Sequence, residues 1–567
     1  MFIDAWSLPK NTAVTTDVCI VGAGIAGITL ARELRGQRFR VCVLESGGLE
    51  ADRDTQSLYG GDNAGYPYYP LETTRSRQFG GSSNRWLMEI GDYRIGARLH
   101  PFSEIDFEVR DWVPYSGWPF SKAYLDPYYE RAQAVCQVGP FTYCAQDWAD
   151  ERLTPALPLR GDRVQTAIYQ LIGRDVFMVD YRNELQQAED VTVYLRANVL
   201  ELETTESGER VNHARVGCLN GNAFRVQARL FVLAVGGIET PRLLLLSNKT
   251  HQAGLGNQHD LVGRFFMEHP HLWSGTFVPQ DPDIFRTAGL YGVHQAKGGQ
   301  PIIGQLTISQ EVLRREQMLG YSVVLVPSVR STNLRKTVSQ GASTFRLLAS
   351  AIRQRDLSDF NRHLSTLFPV VNDFSIATYR QAARLFDKLR RKRFVVFRLN
   401  HMVEQVPNPH SRVSLSEERD AFGQHRVCLN WQMSPIDIRS IRRAQEIIDQ
   451  ELRRAGLGHL QIEMDDDTPP PDLHGGWHHM GTTRMHRDPK QGVVDEHAKV
   501  HDIANLYIAG SSVFPTGGYA NPVLTIVALT LRLADHIKQC LTPETAECQS
   551  AARSTEHSAL DLEATTR

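Results

Sequence analysis

Between residues 14 and 45 the chain reads as a strand, a glycine turn, a helix, a second strand and an acid. VTTDVCIV (14–21) is an apolar strand pattern that runs directly into Gly22-Ala23-Gly24-Ile25-Ala26-Gly27. Helical spacing of Ile28, Leu30, Ala31 and Leu34 follows and stops at Gly36. RVCVLE (40–45) then makes a second buried strand ending on Glu45, eighteen residues beyond Gly27. Gly22 permits the tight turn, Gly24 lets the main chain approach a pyrophosphate, and Gly27 lets the helix lie close on the sheet. The phosphates then face free N–H groups at the helix N-terminus, and Glu45 accepts hydrogen bonds from an adenosine ribose. A glycine triplet alone says little; in this setting it predicts an α/β, Rossmann-like domain that binds a dinucleotide. Glu45 serves NAD or FAD equally, so the choice rests on other segments.

At 567 residues the chain exceeds one compact core, which predicts two or more domains. A net charge of −2 offers no field for a polyanion, and nucleic acid is not an expected partner. No run of about 18 apolar residues appears, so no transmembrane helix is expected. The opening MFIDAWSLPKN lacks the basic and apolar regions of a secretory signal. The eight cysteines form no CxxC pair, and Cys19 and Cys42 sit inside apolar runs. Free core thiols suit a reducing compartment, and the expectation is a cytoplasmic protein.

Four further stretches carry information. QFGGSSNRW (78–86) is a second glycine turn, and its Gly80, Gly81, Ser82, Ser83 and Asn84 suit main-chain contact with a flat ring. VQARLFVLAVGGIETPRLLLLS (226–247) reads as a strand, a Gly-Gly turn and an apolar helix opened near Pro241. NLYIAGSSVFP (505–515) is a short buried strand ending at Gly510 and Ser511, followed by a buried helix from about Pro522. GWHHMGTTRM (476–485) sets His478 and His479 side by side behind Gly475 and Gly476. Taken alone, these histidines fit a metal site, a catalytic base with an assistant, or a polar loop filling. A metal set from Asp472, His474, His478 and His479 is disfavoured, because it lies in a glycine-rich loop with no HExxH or Cys/His partner set. Asn521 before Pro522 reads, by itself, as a helix cap.

Taken in order, GAGIAG…LES, FGGSSNRW, VGRFFMEHP (262–270) and HHMGTTRM…VVD…NLYIAGSSVFP…NPVLT resemble the glucose–methanol–choline (GMC) oxidoreductases. The resemblance spans nearly the whole chain, and its C-terminal part is the most specific. GGYANPVLT and EQVPNPHSRVSLS (404–416) resemble most the pyranose oxidases and bacterial sugar or polyol dehydrogenases. The resemblance implies FAD rather than NAD, bound by a domain built from both ends of the chain. It also implies a second, α+β substrate domain built on an antiparallel sheet. The corresponding division is 1–98, 186–270 and 470–541 for FAD, 99–185 and 271–469 for substrate, and 542–567 as a mobile tail. The family's His-x-x-Gly-Thr falls on His478 as catalytic histidine, and its second active-site residue falls on Asn521. Val199, in RANVLELE, matches the position whose main chain meets the adenine; Gly510, Ser511, Asn521 and Pro522 join the cofactor set. Some pyranose oxidases attach FAD through a histidine in Ser-Thr-His-Trp. Ser83-Asn84-Arg85-Trp86 stands here instead, which implies non-covalent FAD.

Oxidising an alcohol removes a hydroxyl proton and a carbon-bound hydride. A neutral imidazole suits the proton, and an amide hydrogen-bonds the oxygen as negative charge grows. His478 is thus the expected base and Asn521 the orienting donor, while the flavin carries the redox step. The resemblance implies oxidation of a CH–OH group in a sugar, glycoside or polyol. A bulkier apolar alcohol (sterol or aromatic) and a cyanohydrin-type lyase that keeps FAD remain open, as does the electron acceptor: oxygen, a quinone or a carrier. His479 reads equally as loop support or substrate contact, His269 and Trp477 read as structural, and Arg85 as a flavin or ion-pair partner. In the middle, YSVVLVPSV (321–329) and RFVVFRLNHMVEQV (393–406) predict strands, and DIRSIRRAQEIIDQELRRAG (437–456) an amphipathic helix. Residues 379–393 carry seven basic residues and one acid. They read first as a solvated face, with membrane or partner docking as the alternative, beside a helix-rich lid over 337–394.

Overall fold

The computed structural model describes residues 1–542 except 87, 91–92, 151–153, 297, 329–393, 465–468 and 471. The basic stretch 379–393, nearly all of the expected lid, and the tail beyond 542 lie outside the described residues.

The strand Ala13–Val21 is central to a largely parallel sheet. On one side it pairs with Val41–Leu44, followed by Val191–Leu195 and Phe2–Asp4, all parallel. On the other side lies Ala223–Leu233, which is shared between two neighbours. Its beginning pairs antiparallel with Val211–Gly217, itself antiparallel to Asn198–Thr204. Its end, at Phe231, Val232 and Leu233, pairs parallel with Leu506–Ile508. The C-terminal part of the chain thus closes the sheet that the N-terminal part begins. All four residues of Val41–Leu44 are buried, as expected for a parallel strand covered on both faces. Helices Ile25–Leu34 and Val523–Leu541 share its core.

The second sheet is antiparallel, in the order Gly458–Gln461, Pro270–Pro279, Val396–Val403, Tyr321–Ser328, Pro301–Ile308, Val164–Gly173, Tyr93–Leu99, Met88–Ile90. Side chains alternate between its faces. Leu272, Phe277, Val323, Phe397 and Leu399 pack with Ile441, Ala444, Ile447 and Ile448 of the helix Pro435–Arg454. That helix opens with a Ser434–Asp437 capping box and Pro435 in its first turn, a strong start signal. Gly456 follows it at φ 68°. The opposite face presents Ala167, Tyr169, Ile303, Val324 and Met402, and Tyr519 packs on it. Asn521 is two residues beyond Tyr519, so this face looks toward the candidate site.

Two placements bear on the domain division, and one expectation, the helix near Pro241, is corrected. Tyr93–Leu99 pairs with Met88–Ile90 on one side and with Val164–Gly173 on the other, so the antiparallel sheet already includes Met88. The helix Lys122–Val135 packs on Val523–Leu541. Its Leu125, Tyr129 and Ala132 join the core of the parallel sheet, and the Tyr129 hydroxyl lies 2.8 Å from Thr525 Oγ1. The helix expected to open near Pro241 begins at Gly236 and carries Pro241 inside it. Proline leaves the carbonyl four residues back without its helical donor. Here Thr482 Oγ1 donates to the Gly237 carbonyl at 2.6 Å, so the proline is accommodated.

Candidate active site

The two glycine turns form one cradle. Gly22 has φ 101°, and a Cβ on Gly27 would stand 1.9 Å from the Gly22 carbonyl oxygen, so the helix approaches its own turn as only glycine allows. Gly80 N–H donates to the Ala23 carbonyl at 2.8 Å, and a Cβ on Gly81 would lie 2.9 Å from Gly24 Cα. Gly24 opens the helix Ile25–Leu34 with no side chain capping it, which leaves an N-terminus suited to a phosphate. The Glu45 carboxylate accepts from Ala23 N–H at 2.9 Å and Gly47 N–H at 2.8 Å. Burial raises its pKa against these bonds, and each oxygen retains acceptor capacity for a ribose. Ala197 N–H donates to the Glu45 carbonyl at 2.8 Å, two residues ahead of Val199. These groups fit the adenosine and pyrophosphate of FAD.

In the second turn, Asn84 Nδ2 donates to the Phe79 and Gly81 carbonyls at 2.9 and 2.8 Å, and Ser83 Oγ to the Gly80 carbonyl at 2.6 Å. These side chains fold their own loop, so the surface offered to a ring is main chain plus the exposed Ser82. Arg85 donates to the Arg75 carbonyl at 3.0 Å.

The histidine loop is held from below by an acid that the sequence reading did not single out. Glu268 is fully buried. Its Oε2 accepts from Gly476 N–H at 3.0 Å, His478 N–H at 2.9 Å and His269 N–H at 3.2 Å, and its Oε1 from the Tyr68 hydroxyl. Burial carries its pKa up to about 7 despite these donors. A Cβ on Gly475 would stand 2.8 Å from Glu268 Oε1, and one on Gly476 would stand 2.6 Å from His271 Nε2; the Gly-Gly pair is what lets the loop sit this close. His479 Nε2 lies 2.9 Å from the Tyr68 hydroxyl, which makes it a loop support. Ser511 Oγ donates to the His479 carbonyl at 2.7 Å, tying the turn at Gly510 to the same loop. Glu268→Ala leaves the buried N–H of His269 and the partly buried N–H groups of Gly476 and His478 without this acceptor, at up to about 1–3 kcal/mol each. Thermal denaturation should show a large loss for Glu268→Ala and a small one for Glu268→Gln, whose amide oxygen can still accept. Equal stability of the two variants would contradict this role.

His478 and Asn521 meet, although 43 residues apart: Asn521 Nδ2 is 3.2 Å from His478 Nε2. Asn521 does not cap the following helix, which has no side-chain cap; among the described residues its Oδ1 has no partner. On the other edge of the ring, His478 Nδ1 is 2.8 Å from His269 Nδ1. His269 is fully buried, and its Nε2 faces the Gly517 and Gly518 carbonyls at 3.1 and 2.9 Å. Burial, then the neighbouring His269, hold His478 well below the ordinary histidine range. It is therefore a neutral imidazole, able to accept a proton. His271 stands nearby, its ring centroid 6.1 Å from that of His478, with Nε2 unpartnered among the described residues. Trp477, at φ 62°, packs edge-on against Tyr69 with centroids 5.8 Å apart. Among the described residues no three His, Cys, Asp or Glu side chains are grouped to hold a metal.

Residues 17–254 match the model for FAD dependent oxidoreductases, and residues 407–530 match that for GMC oxidoreductases. The chain is similar to a 2-methyl-1,2-propanediol dehydrogenase of Mycolicibacterium austroafricanum. The two are 26% identical over 59% of this chain and 52% of that protein, so about half of that relative is spanned. It is also similar to the fructose dehydrogenase large subunit of Gluconobacter japonicus, at 23% identity over 93% of this chain and 98% of that protein. Among solved structures, pyridoxine 4-oxidase from Mesorbium loti shares the fold, with a TM-score of 0.50 and 16% identity over 92% of this chain and 98% of that one. The chain thus carries an FAD dependent oxidoreductase domain over residues 17–254 and a GMC oxidoreductase domain over residues 407–530.

Proposed function

We propose that the protein oxidises a CH–OH group of a sugar, glycoside or polyol, with His478 as base, Asn521 as orienting donor and FAD bound non-covalently. The observation that carries this reading is the meeting of the His478 imidazole edge with the Asn521 amide at 3.2 Å. His478 takes the hydroxyl proton at Nε2, and Asn521 donates a hydrogen bond to the oxygen as its charge grows. Bound FAD supplies the hydride acceptor. Glu268 and Tyr68 hold the loop, and the face of the antiparallel sheet carrying Met402 and Tyr169 forms the opposite wall. Relatives named for a diol and for fructose support the substrate class. The absence of a histidine in QFGGSSNRW supports non-covalent binding. We divide the chain as the family resemblance implies, with Met88–Leu99 moved to the substrate side and Lys122–Val135 to the FAD side.

No helix among the described residues is long and apolar enough to cross a membrane. Cys19 and Cys42 are register neighbours on adjacent strands, and both are free thiols. This supports work in a reducing compartment such as the cytoplasm.

The test is anaerobic mixing of the purified flavoprotein with sugars, glycosides, polyols and aromatic or sterol alcohols. Bleaching by a sugar or polyol supports the reading; bleaching only by the apolar alcohols moves the substrate class; a flavin that none bleaches removes alcohol oxidation. Acid precipitation should release the flavin into the supernatant. The pH dependence follows from the depressed pKa of His478. A base with a lowered pKa stays deprotonated to lower pH, so the acid limb of flavin reduction should lie below the ordinary histidine value of about 6.5. A limb centred at or above that value would contradict the assignment.

A further inference from the structure

We propose that His269 is a positioning residue that fixes the tautomer of His478, keeping Nε2 of His478 bare on the side facing Asn521. This rests on the reading of His478 as the base.

The argument runs along one chain of hydrogen bonds. Carbonyl oxygens only accept, and His269 Nε2 faces two of them, at Gly517 and Gly518, at 3.1 and 2.9 Å. Its proton therefore sits on Nε2. Burial holds the pKa of His269 down to about 4, with the two carbonyls, Glu404 and Arg98 as lesser influences, so the ring carries only that one proton at neutral pH. Its Nδ1 is then a bare acceptor. His478 Nδ1 lies 2.8 Å away, and two bare nitrogens would repel at that distance, so His478 carries its proton on Nδ1. Its Nε2 is left with a lone pair, which the Asn521 amide meets with an N–H at 3.2 Å. Which nitrogen holds each proton follows from the partner it faces.

The opposite tautomer would aim an N–H at the substrate hydroxyl and could not accept its proton. The loop that supplies the two carbonyls runs on directly to Asn521, so one segment sets the tautomer and places the amide. Its close approach depends on its glycines: Gly518 has φ 54°, and a Cβ there would stand 2.8 Å from Asp106 Oδ2. A Cβ on Gly517 would stand 2.8 Å from Met480 Cε. The pattern parallels a catalytic triad, in which a third group holds the histidine in its working tautomer, with a neutral imidazole replacing the carboxylate.

The experiment is long-range proton–nitrogen correlation NMR on the holoenzyme labelled with nitrogen-15 histidine. This distinguishes bare from protonated ring nitrogens, and His478→Gln and His269→Asn assign the signals. The expected result is His269 protonated at Nε2 and His478 protonated at Nδ1. A wild-type His478 protonated at Nε2 overturns the proposal. His269→Leu, which removes the acceptor, should move His478 toward the Nε2–H form and slow flavin reduction by substrate about tenfold or more, with the flavin spectrum retained. His269→Asn, whose amide oxygen can accept near the former Nδ1 position, should restore most of the rate. If His269→Leu leaves His478 protonated at Nδ1 and the rate unchanged, the proposal fails. The ring signals report the tautomer whether or not an alcohol is the substrate. A flavin that no alcohol bleaches would therefore remove the functional reading, while the ring signals still decide which nitrogen of His478 holds the proton.

Discussion

His478→Ala should keep FAD bound and slow reduction of the flavin by substrate at least about a hundredfold. The cofactor is expected to stay because the loop's position does not depend on this ring. Glu268 holds the His478 main-chain N–H at 2.9 Å, and the Gly22–Gly27 cradle draws on other segments. The rate is expected to fall because the imidazole edge that meets Asn521 is lost, while His269 is turned to the Gly517 and Gly518 carbonyls. Truncation also leaves His269 Nδ1 without its donor, which adds a modest loss of stability. His478→Asn separates the two effects, since an amide N–H can reach His269 yet accepts a proton poorly. Stopped-flow reduction under argon reads the rate, and the visible spectrum reads the bound flavin. Near-normal reduction in both variants would remove His478 from the chemistry. Asn521→Ala should slow the same step less, because the base remains and only one donor to the developing charge is lost. Since Asn521 does not cap the helix Val523–Leu541, that variant should melt as the parent does.

What the sequence disclosed divides along a physical line. The stretches Val18–Val21 and Val41–Leu44 were readable because parallel strands covered on both faces appear as unbroken apolar runs. The glycine turn between them was readable because its residues are fixed by local backbone needs. The antiparallel boundary at Met88 was less visible, since YRIGARL alternates over too few residues to separate a strand from a loop. Pro241 misled because its accommodation depends on Thr482, far away in the chain. Glu268 and Tyr68 were missed for the same reason. The role of Glu268 exists only once Gly476 and His478 have been brought back over it, about 200 residues later in the chain. His269 read as structural because a histidine before a proline has no local signature of pairing. The family resemblance supplied His478 and Asn521; their neighbours came from the three-dimensional contacts.

Gly24→Ala should fold as the parent does and yet bind FAD about ten- to hundredfold more weakly. In the protein itself the added methyl group has room: among the described residues and apart from its neighbours in the chain, the one heavy atom within 4 Å of that Cβ is Gly81 Cα, at 4.0 Å. The backbone at Gly24, φ −84° and ψ −169°, is open to alanine as well. A loss of affinity would therefore measure how closely the cofactor approaches this residue. Inserting a methyl group into a closely packed contact costs about 1–3 kcal/mol, which is roughly a factor of ten to a hundred in affinity. Gly27→Ala makes the useful contrast. Its Cβ would stand 1.9 Å from the Gly22 carbonyl oxygen, so the helix must retreat by roughly 1 Å or more to reach ordinary contact distance. That variant should lose stability and flavin together. Titration of the apoproteins with FAD, beside their thermal denaturation, separates the cases. If Gly24→Ala bound FAD with parental affinity, the pyrophosphate would not pass this turn, and the reading of the first glycine motif would have to be redrawn.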